Sequence, residues 1–272
     1  MTSSPSRAAN FGAAWWNGGQ RRVALVTGGG RGIGKGISVG LAAAGADVAV
    51  NYNKDAESAE QTVAEIVAAG GRALAFQGDV SDAASCAALA AAVTDAFGAP
   101  DLVVHNGGVA SRGRSIADTP VDEVERLLRV HAIGPHMLSR ELLPGLRLRA
   151  KEIGRADVLF ISSVATVGLT AKGAPYSMGK AAMEALAITL AKEEVRNGVR
   201  VNIVAPGLTV SEMGRRLAKA TAGVDIAELD ERYPFGRVTR PEDIAEVVLF
   251  MTRADSTLTG QRVEVDGGSR SL

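Results

Sequence analysis

A single cysteine, Cys86, is all the sulfhydryl chemistry this chain has, so no disulfide can close within it and no thiolate cluster can hold zinc. Its three histidines, His105, His131 and His136, show no metal-ligand spacing. Charge of one sign is missing as well. Thirty Lys and Arg offset thirty Asp and Glu, which removes the electrostatic case for nucleic acid or an anionic membrane surface as a partner. No run reaches the roughly 18 apolar residues of a membrane span, and Met1 to Gln20 lacks the apolar core of a secretory leader. Repeats, low-complexity tracts and Pro/Ser-rich linkers are also lacking. The expected setting is a reducing cytoplasm, with any ligand recognised by local chemistry. Residues 1–20 are expected to form a flexible extension; Trp15 and Trp16 could dock on the domain or a partner, but a loose tail is the favoured reading.

What is present is a 272-residue chain, 46% hydrophobic, with 32 glycines, enough to bury a sizeable core. From Arg22 onward, β-branched runs alternate with alanine-rich amphipathic segments. Strands are predicted at 23–27, 47–52, 72–77, 101–105, 156–162, 199–205 and 261–265. Helices are predicted at 34–44, 56–69, 83–97, 121–149, 176–197 and 241–252. The alternation predicts an α/β chain, a single doubly wound Rossmann domain over 21–272 with a seven-stranded parallel sheet and helices on both faces. The least regular stretch, 209–237, is expected to close over a substrate.

Two stretches carry chemistry. The first strand runs into Thr27-Gly-Gly-Gly-Arg-Gly-Ile-Gly34, where Gly28, Gly32 and Gly34 allow a sharp turn and a close approach of phosphate to backbone at a helix start. Farther on, Ser163 precedes Tyr176 by thirteen residues and Lys180 follows four later, so phenol and amine share one helix face. A cation beside a phenol, which ordinarily ionises near pH 10, would ease its ionisation toward neutrality.

The spacing Thr-Gly-x-x-x-Gly-x-Gly resembles that of the short-chain dehydrogenase/reductase family, and the chain is similar to 3-oxoacyl-carrier-protein reductases over roughly residues 21–270. Asp79-Val80 resembles the pair that contacts adenine. His105-Asn106-Gly107-Gly108 resembles the family's Asn-Asn-Ala-Gly, and Arg200 to Gly207 and Gly260 to Gly268 match its later motifs. The resemblance implies that Tyr176 is the general acid or base, that Ser163 hydrogen-bonds the substrate oxygen, and that Lys180 lowers the tyrosine pKa and holds the nicotinamide ribose. It further implies that Arg31, Ile33 and the three turn glycines, Asp79, Val80, Asn106, Gly107, Gly108, Pro206 and Gly207 line the cofactor, with Ser211 in the place of a carboxamide-binding threonine. No metal is implied.

Cofactor choice turns on Asn51-Tyr52-Asn53 after the second strand, where NAD-preferring relatives carry an acid. No carboxylate there repels a 2′-phosphate, and Arg31, with Lys54, could pair with one. NADPH is therefore expected over NADH; the Asn-Tyr pair also resembles that of fungal hydroxynaphthalene reductases. One departure stands out: His131 occupies the position of the family's asparagine, whose backbone holds a relay water. It is counted among the catalytic residues, either keeping the helix distortion and relaying protons itself or only filling the space. Gly107 replaces an alanine and should leave room near the cofactor. His105 and His136 read as structural, and Cys86 as a small buried hydrophobe.

The substrate is expected to be a small-molecule carbonyl or acyl compound, with Met213, Leu217, Ile226, Leu229, Tyr233 and Phe235 available for an apolar pocket. Arg215, Arg216 and Lys219 either greet an acidic substrate or lie in solvent. The leading reading is a reductase of ketones or 3-oxoacyl groups. A secondary-alcohol dehydrogenase and a nucleotide-sensing protein with weak turnover stay open. The family resemblance implies a homotetramer.

Overall fold

The computed structural model describes Trp15 and residues 21–269. Short aliphatic runs become strands β1 (Val23–Val26), β2 (Asp47–Tyr52), β3 (Arg72–Gln77), β4 (Leu102–His105), β5 (Ala156–Ile161), β6 (Val199–Pro206) and β7 (Arg262–Val265). All pair in parallel in the order β3-β2-β1-β4-β5-β6-β7. Each central strand is buried on both faces, as a parallel sheet under two helical layers requires. The pleat divides the side chains between two cores. Ala24 and Val26 face α1 (Gly32–Ala43) and α9 (Pro241–Met251), with α2 (Ala56–Ala68) beside them, whereas Leu25 faces α3 (Ala83–Phe97), α5 (Gly134–Ile153) and α7 (Ala174–Glu194).

Helix starts follow local chemistry: Asp55 accepts from Ser58 N at 3.1 Å to cap α2, and Asp82 from Ser85 N at 2.8 Å to cap α3. The expected helix over 121–149 is instead α4 (Val121–Leu128), a π turn (Arg129–Ile133) and α5, with the Gly134 amide reaching back to the Arg129 carbonyl. Between β6 and α9 lie α8 (Glu212–Ala222) and a 3₁₀ segment (Ile226–Arg232), with a small core of their own made by Ala218, Ile226, Leu229 and Val238. Ile226 and Leu229 thus help hold this cap together. Met213 and Phe235 are exposed.

At the amino ends of the strands sits a buried charge network that the sequence did not announce. Arg22, before β1, donates to Asp101 at 2.5 Å and to Asp157 at 2.7 Å, and Arg200 adds a second cation to Asp157. Trp15 closes this end: its Nε1 donates to Thr252 Oγ1 at 2.8 Å, and the Arg22 guanidinium lies 5.1 Å from its ring centroid. The looseness expected of the first 20 residues thus fails at Trp15, because an indole can bury its ring and still satisfy its N–H here. Trp16 and the other residues of that stretch lie outside the described residues. Among the described residues no helix is long and apolar enough to cross a membrane, and no cluster of His, Cys, Asp and Glu could hold a metal ion.

Candidate active site

Sheet order reverses between β1 and β4, and the carboxyl ends of the strands at such a reversal are where open α/β sheets bind ligands. β1 delivers the glycine turn to this edge, β4 delivers Asn106, β5 delivers Ser162 and Ser163, and β6 delivers Pro206 and Gly207.

The glycine turn is pinned from every side. Gly28 and Gly32 take φ of +59° and +52°, which side chains other than glycine resist. The Gly28 carbonyl accepts from Asn106 Nδ2 at 3.1 Å, the Gly29 carbonyl from Ser38 Oγ at 3.2 Å and the Gly30 carbonyl from Thr62 Oγ1 at 2.9 Å. The Gly28 amide donates to Asn51 Oδ1 at 3.3 Å, while Asn51 Nδ2 donates to the Gly78 carbonyl at 3.0 Å. Beyond the turn, α1 begins with no side-chain cap and no acidic residue in its first turn. Its first amides are available to an anion. This cradle fits a dinucleotide pyrophosphate: the positive φ values at Gly28 and Gly32 favour glycine, and a Cβ on Gly34 would fall 2.1 Å from the Gly28 carbonyl.

Asn51 and Asn106, expected to touch the cofactor, brace the turn, with Asn106 also donating to the Thr27 carbonyl at 2.9 Å. Ser38, Thr27 and Thr62 share that work and were missed. Thr27 opens the turn itself and Ser38 lies on the helix that follows it, whereas Thr62 is brought there from α2, 32 residues beyond Gly30, where spacing along the chain gave no signal. Asp79 Oδ1 accepts from Ser81 N at 2.8 Å and Ser81 Oγ at 2.6 Å, bonds that hold its carboxyl below the usual range. A Cβ on Gly107 would meet Thr27 Oγ1 at 3.3 Å and Val80 Cγ2 at 3.7 Å, so the position is closely lined on the side a side chain would occupy. Arg31 is exposed and already engaged, 2.8 Å from Glu212 and 3.4 Å from Asp55. Ser211 caps α8, accepting from Gly214 N at 3.0 Å, and lies beside the turn, where a Cβ on Gly32 would meet its own at 3.2 Å. Tyr52 is half-buried, Asn53 and Lys54 are exposed, and Ile33 packs partly against the α1 core.

Ser163, Tyr176 and Lys180 come together as the spacing predicts. The Ser163 hydroxyl, which accepts from Ala165 N at 3.1 Å, stands close enough to the Tyr176 phenol to favour its ionised form. The buried Lys180 ammonium lies 5.9 Å from the Tyr176 ring centroid and donates to the Ile161 carbonyl at 2.7 Å. The electrostatics depart from expectation. Burial raises the phenol above its ordinary value, with Ser163 opposing, whereas burial pushes the Lys180 ammonium down to about 7, with Glu184 opposing. Desolvation outweighs the cation here because Lys180 is turned to a backbone carbonyl.

His131 sits in the π turn, fully buried, its ring edge-on to Tyr176 with centroids 5.3 Å apart. Its Nε2–H donates to the Val109 carbonyl at 2.8 Å, and Nδ1 has no hydrogen-bond partner among the described residues. Burial, aided by the Lys180 charge, drives its pKa down to about 3, so the ring is neutral at physiological pH. His105 is likewise buried, bonded to Ser139 Oγ at 2.9 Å and stacked on Phe160. His136 is exposed on α5 instead of packed, and the buried Cys86 thiol is raised to about 11 by burial, as an inert apolar residue should be.

Known proteins resemble this arrangement along nearly the whole chain. Residues 28–270 match the family described as Enoyl-(Acyl carrier protein) reductase. A versicolorin reductase of Emericella nidulans is 35% identical over 91% of this chain and 95% of its own. A 3-oxoacyl-[acyl-carrier-protein] reductase of Synechocystis is 33% identical over 91% of this chain and 96% of its own. The crystal structure of a dehydrogenase/reductase from Sinorhizobium meliloti superimposes with a TM-score of 0.83 at 31% identity, covering 95% of this chain and 98% of that one.

Proposed function

Since the chain belongs to the short-chain dehydrogenase/reductase family of NAD(P)-dependent oxidoreductases, we propose that it is an NADPH-dependent reductase converting a ketone or 3-oxoacyl carbonyl to a secondary alcohol. The observation that carries this is the Tyr176 phenol, beside Ser163 and one helical turn from a buried Lys180. When bound, the nicotinamide cofactor supplies the hydride. The chain's own groups do the rest. Ser163 Oγ and Tyr176 Oη both reach the oxygen of a carbonyl seated between them. As negative charge develops there, Ser163 donates a hydrogen bond and Tyr176 transfers its proton. The phenolate left behind needs a cation, and Lys180 is the buried charge that can swing from the Ile161 carbonyl to provide it. Burial weakens this ammonium, which readies it to pass a proton onward.

His131 holds the π turn and the Tyr176 ring by its bond to Val109, and it is not the group that titrates near neutrality. The first amides of α1, with Ile33, Gly107, Gly108, Asp79 and Val80, would hold the adenine half of the dinucleotide. Pro206, Gly207 and Ser211 would hold the nicotinamide half. NADPH is favoured because no acid occupies 51–53 and Arg31 stands at the turn. Arg31's ion pairs with Glu212 and Asp55 are solvent-exposed, hence weak enough for a 2′-phosphate to displace.

The exposed apolar residues Met213, Leu217 and Phe235 of the cap suit an aliphatic or polycyclic substrate, in keeping with the acyl and versicolorin reductases among its relatives. Exposed Val121 and Met178 on α4 and α7 and Phe250 on α9 support association of copies into a homotetramer, and the near-absence of cysteine suits a cytoplasmic setting. A panel of ketones and 3-oxoacyl thioesters assayed with each cofactor tests the reading. NADPH should exceed NADH in kcat/KM by tenfold or more, on the order of 1.4 kcal/mol, and equal values would refute the cofactor assignment.

A further inference from the structure

We propose that Glu184 and Arg262 form a positioning pair for the reacting centre, one carboxylate oxygen and one guanidinium together fixing the Ser163 backbone against the face of α7 that carries Tyr176 and Lys180. The proposal rests on the reductase reading for its kinetic arm.

Glu184 follows Lys180 by four residues and Tyr176 by eight, so it continues the same helical face. Its Oε1 gathers three donors from three other elements. Ser162 Oγ at the end of β5 lies at 2.6 Å, Arg262 Nε on β7 at 2.9 Å, and Thr166 Oγ1 in the short helical turn α6 (Ala165–Gly168) at 3.0 Å. Arg262 completes the frame through its Nη2, which donates to the Ser163 carbonyl at 3.2 Å and to Thr166 Oγ1 at 2.9 Å. Thr166 Oγ1 also lies 3.0 Å from the same Ser163 carbonyl, so its one proton is shared between that carbonyl and Glu184. Both members are largely buried, with side chains 21% and 18% exposed for Arg262 and Glu184. Charge-assisted bonds of this kind hold geometry better than surface pairs do.

The pair meets Ser163 at its backbone carbonyl, through Arg262, and not at its hydroxyl, which accepts from Ala165 N at 3.1 Å. What the pair sets is where that hydroxyl stands. A displacement of about 1 Å in such a group can cost roughly 100-fold in rate. Glu184 also supplies an acidic charge that opposes the deprotonation of Lys180. The other titratable groups facing Lys180 are Tyr176 on its own helix and His131 from the π turn, which is neutral, while Arg262 faces Glu184. A purely structural clamp would hold shape without tuning that ammonium.

The test uses the full chain with Glu184→Gln, Arg262→Gln and Arg262→Lys, and reads three quantities. The ε-carbon resonance of Lys180, in protein carrying 13C-labelled lysine and assigned by its loss in Lys180→Arg, gives the ammonium midpoint. Steady-state kinetics give kcat and KM, and thermal unfolding gives stability. Glu184→Gln should lower the Lys180 midpoint by about one pH unit and reduce kcat by about 10- to 100-fold, with KM changed by less. Arg262→Gln should lose kcat comparably, and Arg262→Lys, which keeps the charge but not the fork, should recover part of it. An unmoved Lys180 midpoint, or unchanged kcat with only a lower thermal midpoint, overturns the proposal. If the parent protein reduces no carbonyl in the panel, the reductase reading fails by itself. The Lys180 titration then still decides for the pair if it moves and against it if it does not.

Discussion

Replacing Gly108 with alanine tests the fit of the His131 ring in the site. Gly108 is not in the left-handed region of backbone space, so alanine meets no conformational penalty there. Space is what forbids it. A Cβ would stand 2.8 Å from His131 Cε1 and 3.4 Å from its Nδ1, whereas carbon atoms rest at about 3.5–4.0 Å. The ring must retreat by roughly 0.7 Å to restore that separation, yet its other side abuts Gly179, where an added Cβ would lie 3.2 Å from His131 Cβ. Its edge meets Tyr176, and its Nε2 is tied to the Val109 carbonyl. Overpacking of this kind costs about 1–3 kcal/mol, a fall of about 2–12 °C in Tm for a chain of this size. The strain should pass to Tyr176 and lower kcat by about tenfold. Adding His131→Asn removes the ring that clashes, so the double variant should be more stable than the sum of the two single changes by 1 kcal/mol or more. Urea unfolding of the four proteins in the cycle gives the coupling. An unchanged midpoint for Gly108→Ala, or additivity within about 0.5 kcal/mol, would refute the packing described for His131.

Three further outcomes follow from the same structure. His105 and His131 are held at about 3, below the ordinary 6.5, so the unfolded chain binds two more protons than the folded one between those values; stability is complete above about pH 6.5 and falls as pH drops, by about 1.4 kcal/mol per pH unit for each group, and His105→Gln should halve that slope in urea titrations, a pH-independent midpoint contradicting it. Trp15→Ala removes the indole bond to Thr252 and the ring beside Arg22 at a cost of about 3–5 kcal/mol; because Trp15 lies at the amino ends of the strands, the folded variant should keep its kcat, and loss of kcat without loss of Tm would be the wrong pattern. Glu212→Gln frees Arg31 from its nearer partner and should tighten NADPH binding about 1.5- to 5-fold in calorimetry, with NADH unaffected; equal tightening of both would exclude Arg31 as the 2′-phosphate contact.

Much of the fold was legible because strand-then-helix alternation in a doubly buried sheet leaves its period in the sequence. Strand limits fall within a residue of expectation, as at β2 and β3, which match at both ends. Ser163, Tyr176 and Lys180 were legible because helical spacing alone brings two of them to one face. The π turn was not, since one extra residue in a turn barely disturbs an apolar pattern of period 3.6, and His131 owes its place beside Tyr176 to that insertion. The bonds by which Asn51 and Asn106 hold the glycine turn were not legible either, since they run to carbonyls and amides of neighbouring segments, a matter of pairing that no linear spacing records. The direction of the Tyr176 shift was misjudged for a related reason: a sequence shows that a lysine is near but not that it is turned toward the Ile161 carbonyl, nor how deeply the phenol is buried.

The central claim is that Tyr176 protonates a carbonyl while hydride arrives from a bound nicotinamide. It is tested most directly by giving the protein NADPH deuterated at the nicotinamide C4 together with a ketone or 3-oxoacyl thioester that it turns over, and following the label by mass spectrometry. Deuterium should appear at the carbinol carbon of the alcohol in the wild-type reaction, and Tyr176→Phe should lower the yield by at least about 100-fold while still binding NADPH. Label that never reaches the alcohol, or undiminished transfer in Tyr176→Phe, would contradict the account.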